Sequence, residues 1–320
     1  MKLHLIAIIT LISSCLFAEE VILKIATVTP EGSLWTKKLR DMDKEIKKKT
    51  KGRVRLKIYA DSRKGSEAKV VRKINDFKLD GALFLQSGME NIVPQTSILQ
   101  LPYYYKGNEH WQKVQATLKK DLEFSFSKKQ IKVLGWVGSG FTYAFTNKQV
   151  QSLKNFQQLK NWLYTEDPLI QTCFERLGLK GKEIKVKEVL QSLQKKDINS
   201  VYASPYLLVA LEWHKHVNYC IDLPINNVVG GFVLHEKAYA SIPSKMRKKV
   251  GKIIKKHMKL LSKTIHKENA VAKELLKKKY KIQFVQPDNN WANTCQKLGQ
   301  KIAEENVGKR YTQQQLQTTK

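Results

Sequence analysis

Strand-like and helix-like segments alternate in a regular order near the start of this chain, and this order limits the folds that it can adopt. Strand patterns occur in the run 21–30, which alternates and then turns at Pro30, and in the apolar or alternating runs 53–60 and 82–85. Between the first two, apolar residues from Trp35 to Ile46 recur every third or fourth position, as on one face of a helix. A β-α-β-α-β order predicts a mostly parallel sheet with helices packed on it.

A second α/β block begins near Phe145 and supplies further strands and helices. Strands are predicted at 161–164, 184–187, 198–203 and 218–224, and the run VVGGFVLHE at 228–236 is predicted to return to the first block. Apolar residues keep helical spacing from about Ser244 to Lys279, and a helix of that length spans roughly 50 Å, enough to cross two lobes.

This order of segments predicts two lobes rather than one continuous domain. The predicted lobe I is 19–143 with 228–258, and lobe II is 144–227 with 259–310. The last ten residues, 311–320, are polar and are predicted to form a disordered tail.

The first 18 residues have the pattern of an export signal. Lys2 is followed by an apolar run too short to span a bilayer and then by small residues, which predicts cleavage after Ala18 and a periplasmic protein. The run ending in Cys15 also resembles a lipobox, so lipid anchoring through Cys15 remains an alternative.

The charge is strongly positive, with 58 lysines and arginines against 28 carboxylates. These lysines occur along every helical segment and are not interleaved with aromatic residues in one block, which argues against nucleic-acid binding. We expect a solvated basic surface, and peripheral contact with anionic lipid stays open.

Cysteines and histidines give no metal pattern, and we expect no metal and no cofactor. Cys173, Cys220 and Cys295 lack ligand spacing, and they fit buried thiols better than a disulfide framework, although one bridge is possible. His214 and His216 lie two residues apart on a predicted helix and therefore point to different sides.

Two Ser-x-x-Lys matches are the nearest approach to a catalytic motif. Ser66 with Lys69 and Ser125 with Lys128 lack the companion motifs of that enzyme class, and Ser66 fits a helix cap. We therefore expect a binding protein and not an enzyme.

Five segments carry a family resemblance in their order. ATVTPEGSLW, LQLPYYY, VLGWVGSGFTYAFTNKQV, LQSLQKKDINSVYASP and NYCIDLP are similar to solute-binding proteins of tripartite ATP-independent periplasmic (TRAP) transporters, of the DctP type. The resemblance implies two α/β lobes, linked by crossing strands and a long shared helix, that close over a small ligand. It also implies delivery of that ligand to the integral membrane subunits of a TRAP-type permease.

One position departs from this family pattern. The resemblance implies an arginine that pairs with a ligand carboxylate on the strand after the turn NFQQLK, and here that position is Trp162. An indole offers one N–H and a large apolar face in place of a fork of donors. We expect an apolar or amphipathic ligand, with a carboxylate held by Lys154 or Lys160 as the alternative.

Candidate ligand contacts share a position at strand ends, on the crossing segments or at the lobe edge, where open α/β sheets bind ligands. They are Trp35, Gln86, Ser87, Tyr103, Phe141, Tyr143, Trp162, Tyr164, Tyr202, Ser204 and Phe232. Many are aromatic, which predicts an apolar cleft with few polar anchors. The alternatives to a transport receptor are a periplasmic lipid or hydrophobe carrier, or a scaffold protein that is not coupled to import.

Overall fold

The computed structural model describes residues 20–163 and 167–320, which form two β-sheets connected by crossing segments. The predicted signal peptide, including Ala18 and Cys15, lies outside the described residues, and so does Tyr164. The strands are, in chain order, β1 (Val21–Ala26), β2 (Val54–Tyr59), β3 (Gly81–Phe84), β4 (Ile131–Phe141), β5 (Tyr143–Thr146), β6 (Asn161–Leu163), β7 (Gly181–Glu183), β8 (Ser200–Ala203), β9 (Tyr219–Ile221), β10 (Asn227–His235) and β11 (Gln283–Val285).

Helices cover both sheets. They are, in chain order, α1 (Leu34–Lys49), α2 (Glu67–Asn75), α3 (Gln86–Ile92), α4 (Asn108–Ser127), α5 (Leu153–Gln157), α6 (Pro168–Arg176), α7 (Val186–Gln194), α8 (Pro205–Ala210), α9 (Glu236–Ser241), α10 (Ser244–Lys278), α11 (Asn289–Glu305) and α12 (Gln313–Gln317). Short 3-10 helices occupy Pro94–Gln100 and Trp213–His216. No helix within the described ranges is long and apolar enough to cross a membrane.

The first sheet has the strand order β2-β1-β3-β10-β4. β1 pairs in parallel with β2 and β3, while β10 is antiparallel to β3 and β4. This confirms both the predicted parallel β-α-β-α-β unit and the predicted return of the later strand to the first block. We call this sheet and its helices lobe I.

Side chains of the first sheet alternate between two buried faces, as the period of two along a strand requires. Leu83 packs with α1 and α10, whereas Ala82 and Phe84 on the same strand pack with α2 and α3 on the other face. Burial on both faces explains why β3, with the sequence GALF, has no polar side chain.

α10 confirms the predicted long helix and runs from lobe I to lobe II. It packs on α1 and β4 at one end and on α8 at the other. Gly135 of β4 permits the close approach, because a Cβ at that position would lie 2.6 Å from the Cβ of Met258.

The second sheet has the order β11-β9-β5-β8-β6-β7, and with its helices it forms lobe II. The chain passes from one sheet to the other at Thr142, between β4 and β5, and again between Ile221 and Asn227. These crossings lie near the predicted lobe boundaries, which remain a prediction.

One strand is displaced from its predicted position. The sequence predicted a strand at 184–187, but β7 is Gly181–Glu183 and α7 begins at Val186. Parallel pairing of Asn161 with Gly181 and of Leu163 with Glu183 fixes the register. The alternating apolar and polar residues that begin at Ile184 therefore do not form a strand.

The C-terminal residues are not a disordered tail, as the sequence predicted, but contain α12. Thr312 and Gln315 form a capping box, and Leu316 is buried. The hydroxyls of Tyr104 and Thr319 lie 2.6 Å apart, and His110 Nε2 lies 2.8 Å from the Thr319 carbonyl oxygen. These few contacts anchor a segment whose composition is otherwise polar.

Candidate ligand-binding cleft

The two crossing segments are bonded to each other where they leave the first sheet. Thr142 N–H donates to the Asn226 carbonyl at 2.9 Å, and Ile225 N–H donates to the Thr142 carbonyl at 2.9 Å. The Thr142 hydroxyl also donates to Asn226 Oδ1 at 2.6 Å, and both side chains are buried. The two crossing segments are thus held together by these three hydrogen bonds.

A second fixed point joins the end of β4 to α10 and α8. Asn269 of α10 donates its amide N–H to the Ser139 carbonyl at 2.8 Å and accepts from Tyr206 N–H at 3.0 Å. Gly140, with φ of +83°, passes close to this amide. The crossing strand is thus tied to lobe II through one side chain.

An aromatic cluster lies in lobe II along β6 and β8. The rings of Trp162 and Tyr202 stack with centroids 5.0 Å apart and an interplanar angle of 27°. Trp213 meets Trp162 edge-on at 5.3 Å, and Phe174 meets Tyr202 edge-on at 5.3 Å. The structure therefore brings together two predicted ligand contacts, Trp162 and Tyr202.

The indole N–H of Trp162 is engaged within lobe II. Nε1 donates to the Ile184 carbonyl oxygen at 2.8 Å, and the side chain is only 4% exposed. In this structure the one donor of Trp162 is therefore used within lobe II, and its ring packs against Tyr202 and Trp213.

A chain of polar side chains runs from β10 through lobe I. Val229 N–H donates to Gln100 Oε1 at 3.2 Å, and Gln100 Nε2 donates to Glu90 Oε1 at 3.2 Å. Gln86 Nε2 donates to the same Glu90 oxygen at 3.2 Å, while Arg310 donates to Glu90 Oε2 at 3.1 Å. We call Gln86, Glu90, Gln100 and Arg310 the polar chain.

The polar chain reaches lobe II through Asp167. This buried carboxyl group caps α6 by accepting from Ile170 N–H at 3.1 Å, and the Gln86 side chain lies close enough to lower its pKa. Pro168 follows at the start of the helix, a position at which its missing N–H removes no hydrogen bond of the helix. Gln86 and Asp167 are thus a polar contact between the lobes.

Burial disfavours the simultaneous ionisation of the Glu90 and Asp167 carboxyl groups. Burial first, and then the nearby Asp167 carboxylate, raise the pKa of Glu90 to about 7, against the lowering effect of Arg310 and Gln86. Burial also raises the pKa of Asp167, against the hydrogen bonds from Ile170 and Gln86. The junction of the lobes therefore disfavours added negative charge.

Other predicted contacts lie nearby but have partners within the protein. The Ser87 hydroxyl donates to Glu67 at 2.7 Å, and the same carboxylate accepts from the backbone N–H groups of Leu85 and Gly88. Ser204 caps α8 by accepting from Leu207 N–H. The start of α3 already has a carboxylate bound to it.

The predicted aromatic residues divide between the lobe junction and the core. Phe141 ends β4 opposite Asn227. Tyr143 lies on β5 with Lys273 Nζ 5.2 Å from its ring centroid, and burial followed by the charge of Asp222 raises its pKa to about 12. Phe232, in contrast, is fully buried between β10 and the helices of lobe I, which does not favour ligand contact.

Trp35 and Tyr103 complete the set of predicted contacts in the described residues. Trp35 is half-buried, and its ring would lie 3.2 Å from a Cβ at Gly230, next to the end of β3. The Tyr103 hydroxyl contacts Cys295 of α11, and burial raises its pKa well above the ordinary value. Trp35 thus borders the sheet end, whereas Tyr103 is directed into the packing against α11.

The described residues contain no cluster of three or more His, Cys, Asp or Glu side chains suited to a metal ion. The ring centroids of His214 and Tyr280 lie 4.2 Å apart. Cys173, Cys220 and Cys295 are buried free thiols.

Comparison with known protein families identifies the fold. The model of the DctP family, described as bacterial extracellular solute-binding protein, family 7, matches residues 25–307. The chain belongs to this family.

Curated relatives match over part of their length. A solute-binding protein of Chromohalobacter salexigens is 27% identical over 160 residues, covering 49% of this chain and 47% of the relative. An uncharacterized protein of Haemophilus influenzae is 24% identical over 203 residues, covering 61% of this chain and 60% of the relative. The chain thus spans about half to three fifths of these relatives.

Solved structures match almost the whole chain. DctP7 of Bordetella pertussis, an extracytoplasmic solute receptor binding pyroglutamic acid, has a TM-score of 0.82 at 17% identity, and the match covers 93% of this chain and 98% of that protein. A TRAP periplasmic solute-binding protein of Xanthobacter autotrophicus with bound β-D-galacturonate has a TM-score of 0.80 at 14% identity, with 93% and 98% covered. These likenesses establish the two-lobed fold that the sequence predicted.

The members of the polar chain were mostly missed by sequence reasoning. Gln86 was a predicted contact, but Glu90, Gln100 and Arg310 were not. The four-residue spacing of Gln86 and Glu90 on a helix was a usable local signal. Arg310 is 220 residues from Glu90, and no local pattern indicates that contact.

Proposed function

We propose that this DctP-family protein is the extracytoplasmic receptor of a TRAP-type uptake system. In the periplasm it captures a small molecule between its lobes and closes over it. It then delivers this molecule to the integral membrane subunits of the permease. The observation that supports this most strongly is the pair of crossing segments bonded at Thr142 and Asn226, with Gln86 and Asp167 in contact from opposite lobes. Such a hinge allows a ligand to stabilise closure by binding both lobes.

The proposed role is capture rather than catalysis. The hydroxyl of Ser66 accepts from Lys69 N–H at the start of α2, and that of Ser125 donates to the Asp121 carbonyl at 3.0 Å. Both serines of the Ser-x-x-Lys matches therefore have local structural roles.

We infer that the ligand has an apolar or amphipathic part that contacts the aromatic cluster. The position on β6 at which the resemblance implies an arginine is Trp162, and its N–H is bound to Ile184. At the lobe junction the Arg310 guanidinium is bound to Glu90, beside a second carboxyl group. An anionic ligand would meet two acids there, which favours a ligand without a required carboxylate.

A carboxylate ligand is the second candidate, and the solved relatives favour it. Structures of similar fold hold β-D-galacturonate, pyroglutamic acid and, in a Pseudomonas aeruginosa protein, L-malate. Lys160, a proposed replacement for the arginine, is exposed and donates to the Lys196 carbonyl at 3.3 Å, which gives this candidate little support.

Small-angle X-ray scattering with a thermal-shift screen tests the receptor function. The mature chain is screened against fatty acids, aromatic acids, sugar acids and dicarboxylates, and each stabilising compound is added during scattering. A receptor gives a saturable rise in melting temperature and a smaller radius of gyration with the same compound. A compound that stabilises the chain while leaving the radius of gyration unchanged would argue against capture by closure.

A further inference from the structure

The positive charge of this protein is concentrated on two helices. α10 carries thirteen lysines and arginines against two carboxylates, and α1 carries seven against three. α4, α6, α7 and α11 each carry equal numbers of basic and acidic residues. α1 and α10 therefore carry a larger excess of positive charge than these four helices.

α1 and α10 lie side by side on one face of lobe I. Ile46 of α1 and Met258 of α10 belong to the same buried core beneath them. Between the helices, Glu45 of α1 accepts from His257 of α10 at 2.8 Å and forms an ion pair with Lys256. Their outward sides consequently form one continuous surface, which we call the basic face.

Most lysines of the basic face are available to a partner. The following are exposed and have no carboxylate within 4.0 Å among the described residues: Lys37, Lys44, Lys47, Lys48, Lys49, Lys245, Lys248, Lys249, Lys252, Lys255, Lys259, Lys263, Lys267 and Lys277. On α10 they recur every three or four residues from Lys245 to Lys267, which places them along one side of the helix.

The chemistry of the basic face fits a lipid surface better than another polyanion. Its two arginines are engaged, Arg40 by Glu31 and Arg247 by the carbonyls of Ala240 and Ile242. The free charges are therefore lysines, which act as point charges without the fork that recognises phosphate or carboxylate bidentately. No exposed aromatic side chain on either helix offers a base a stacking surface.

An exposed aliphatic residue lies within this field of lysines. Leu260 is 42% exposed, and Lys256, Lys259 and Lys263 are close to it on the same helix. Lysines surrounding exposed aliphatic side chains are typical of helices that lie on anionic membranes.

We propose that the basic face docks this protein onto an anionic phospholipid surface, with α10 lying along the membrane plane. The charge is spread over a helix roughly 50 Å long, so binding relies on many weak contacts and is sensitive to salt. This docking concerns the outside of lobe I and does not depend on which solute the cleft binds.

Vesicle flotation of the mature chain tests this proposal. Vesicles of phosphatidylcholine alone are compared with vesicles containing 30% phosphatidylglycerol, at about 50 and 300 mM salt. We expect at least about tenfold tighter binding to the anionic vesicles at low salt and about tenfold weaker binding at high salt. No binding to anionic vesicles at low salt overturns the proposal.

A matched pair of variants separates the basic face from overall charge. The first replaces Lys252, Lys255, Lys259 and Lys263 with glutamine, and the second replaces Lys113, Lys120, Lys129 and Lys297, which are exposed on other elements. The first should weaken vesicle binding at least about tenfold, whereas the second should change it less than about twofold. Equal losses would assign the effect to net charge and overturn the proposal.

A single substitution tests the apolar contribution at constant charge. Leu260→Ser should weaken binding to the anionic vesicles about twofold to fivefold while leaving the salt dependence unchanged. Parallel binding to an acidic protein and to duplex DNA is measured at the same salt. Tighter binding to either than to the anionic vesicles would overturn the proposal in favour of that partner.

Discussion

The ring of Trp162 stacks on that of Tyr202 with centroids 5.0 Å apart, so that β6 and β8 of lobe II are joined by a buried pair of aromatic side chains. The family resemblance implies an arginine at the position of Trp162, and the exchange changes the chemistry from charge pairing to ring contact. The cleft is proposed to select ligands by apolar surface for this reason.

Removal of the Trp162 ring should abolish solute capture. Trp162→Ala deletes a side chain that is 4% exposed, and truncation of a buried tryptophan costs about 3–5 kcal/mol of stability, so folding is checked by circular dichroism. Trp162→Phe keeps an aromatic face at lower cost and should retain binding within about tenfold. Calorimetry with the solute found for the wild-type protein measures both.

Trp162→Arg provides the opposite test. A guanidinium on β6 should shift preference towards small carboxylates, because it supplies the paired donors that Trp162 lacks. If the alanine, phenylalanine and arginine variants all bind the native solute as the wild type does, Trp162 is not part of the site.

The hydroxyl that joins the crossing segments should contribute measurably to stability. Thr142→Val keeps the shape of the side chain but leaves buried Asn226 Oδ1 without its 2.6 Å hydrogen bond, which should cost about 1–3 kcal/mol in urea unfolding. Thr117→Val is the control, because Thr117 is exposed and donates only within its own helix. Equal losses of stability in the two variants would show that the hydrogen bond between Thr142 and Asn226 does not stabilise the protein.

Gly140 should tolerate a side chain less well than a glycine of the same backbone conformation. Gly52 has φ of +80° with open space around it, whereas a Cβ at Gly140 would lie 2.8 Å from Asn269 Nδ2. Both alanine variants incur the cost of positive φ, but Gly140→Ala also disturbs the bonds of Asn269. We expect it to be about 1–2 kcal/mol less stable than Gly52→Ala by thermal unfolding, and the same stability for both would contradict this packing.

Glu90 should make the protein less stable as the pH rises. Its pKa is raised from 4.5 to about 7 in the folded protein, so between these values the unfolded chain releases the proton while the folded chain keeps it. The free energy of unfolding should therefore fall between about pH 5 and pH 7, by up to about 3 kcal/mol, and level off above pH 7.

Urea unfolding of Glu90→Gln between pH 5 and pH 8 measures this contribution. The variant should lose the fall between pH 5 and pH 7, whereas Glu109→Gln on the exposed surface of α4 should keep the wild-type profile. If the free energy of unfolding of Glu90→Gln falls with pH as steeply as that of the wild type, the Glu90 carboxyl group does not cause the fall.

The fold was largely predictable because its signals are local. Alternation in β1 and β2, the serine caps of α1 and α2 and the apolar spacing of α10 each lie within one element. β7 was misplaced because pairing with β6, and not its own alternation, sets its position. α12 was missed because its stability comes from Tyr104 and His110, far away in the sequence.

The candidate site was less predictable because it depends on contacts between distant segments. Trp162 was identified by comparison with a family pattern, but its bond to Ile184 needs the folded lobe. Phe232 was a predicted ligand contact because it is aromatic and lies on a crossing strand. In the folded sheet its side chain lies in the core of lobe I. The concentration of lysines appears only when α1 and α10 are placed side by side.

Mass spectrometry of the small molecules carried by the purified mature protein, first native and then denatured, shows whether the aromatic cluster selects the ligand. We predict a single molecule with an apolar part, bound at one per chain and lost in Trp162→Ala. A small dicarboxylate or sugar acid, retained by Trp162→Ala, would contradict the proposal that the aromatic cluster selects the ligand.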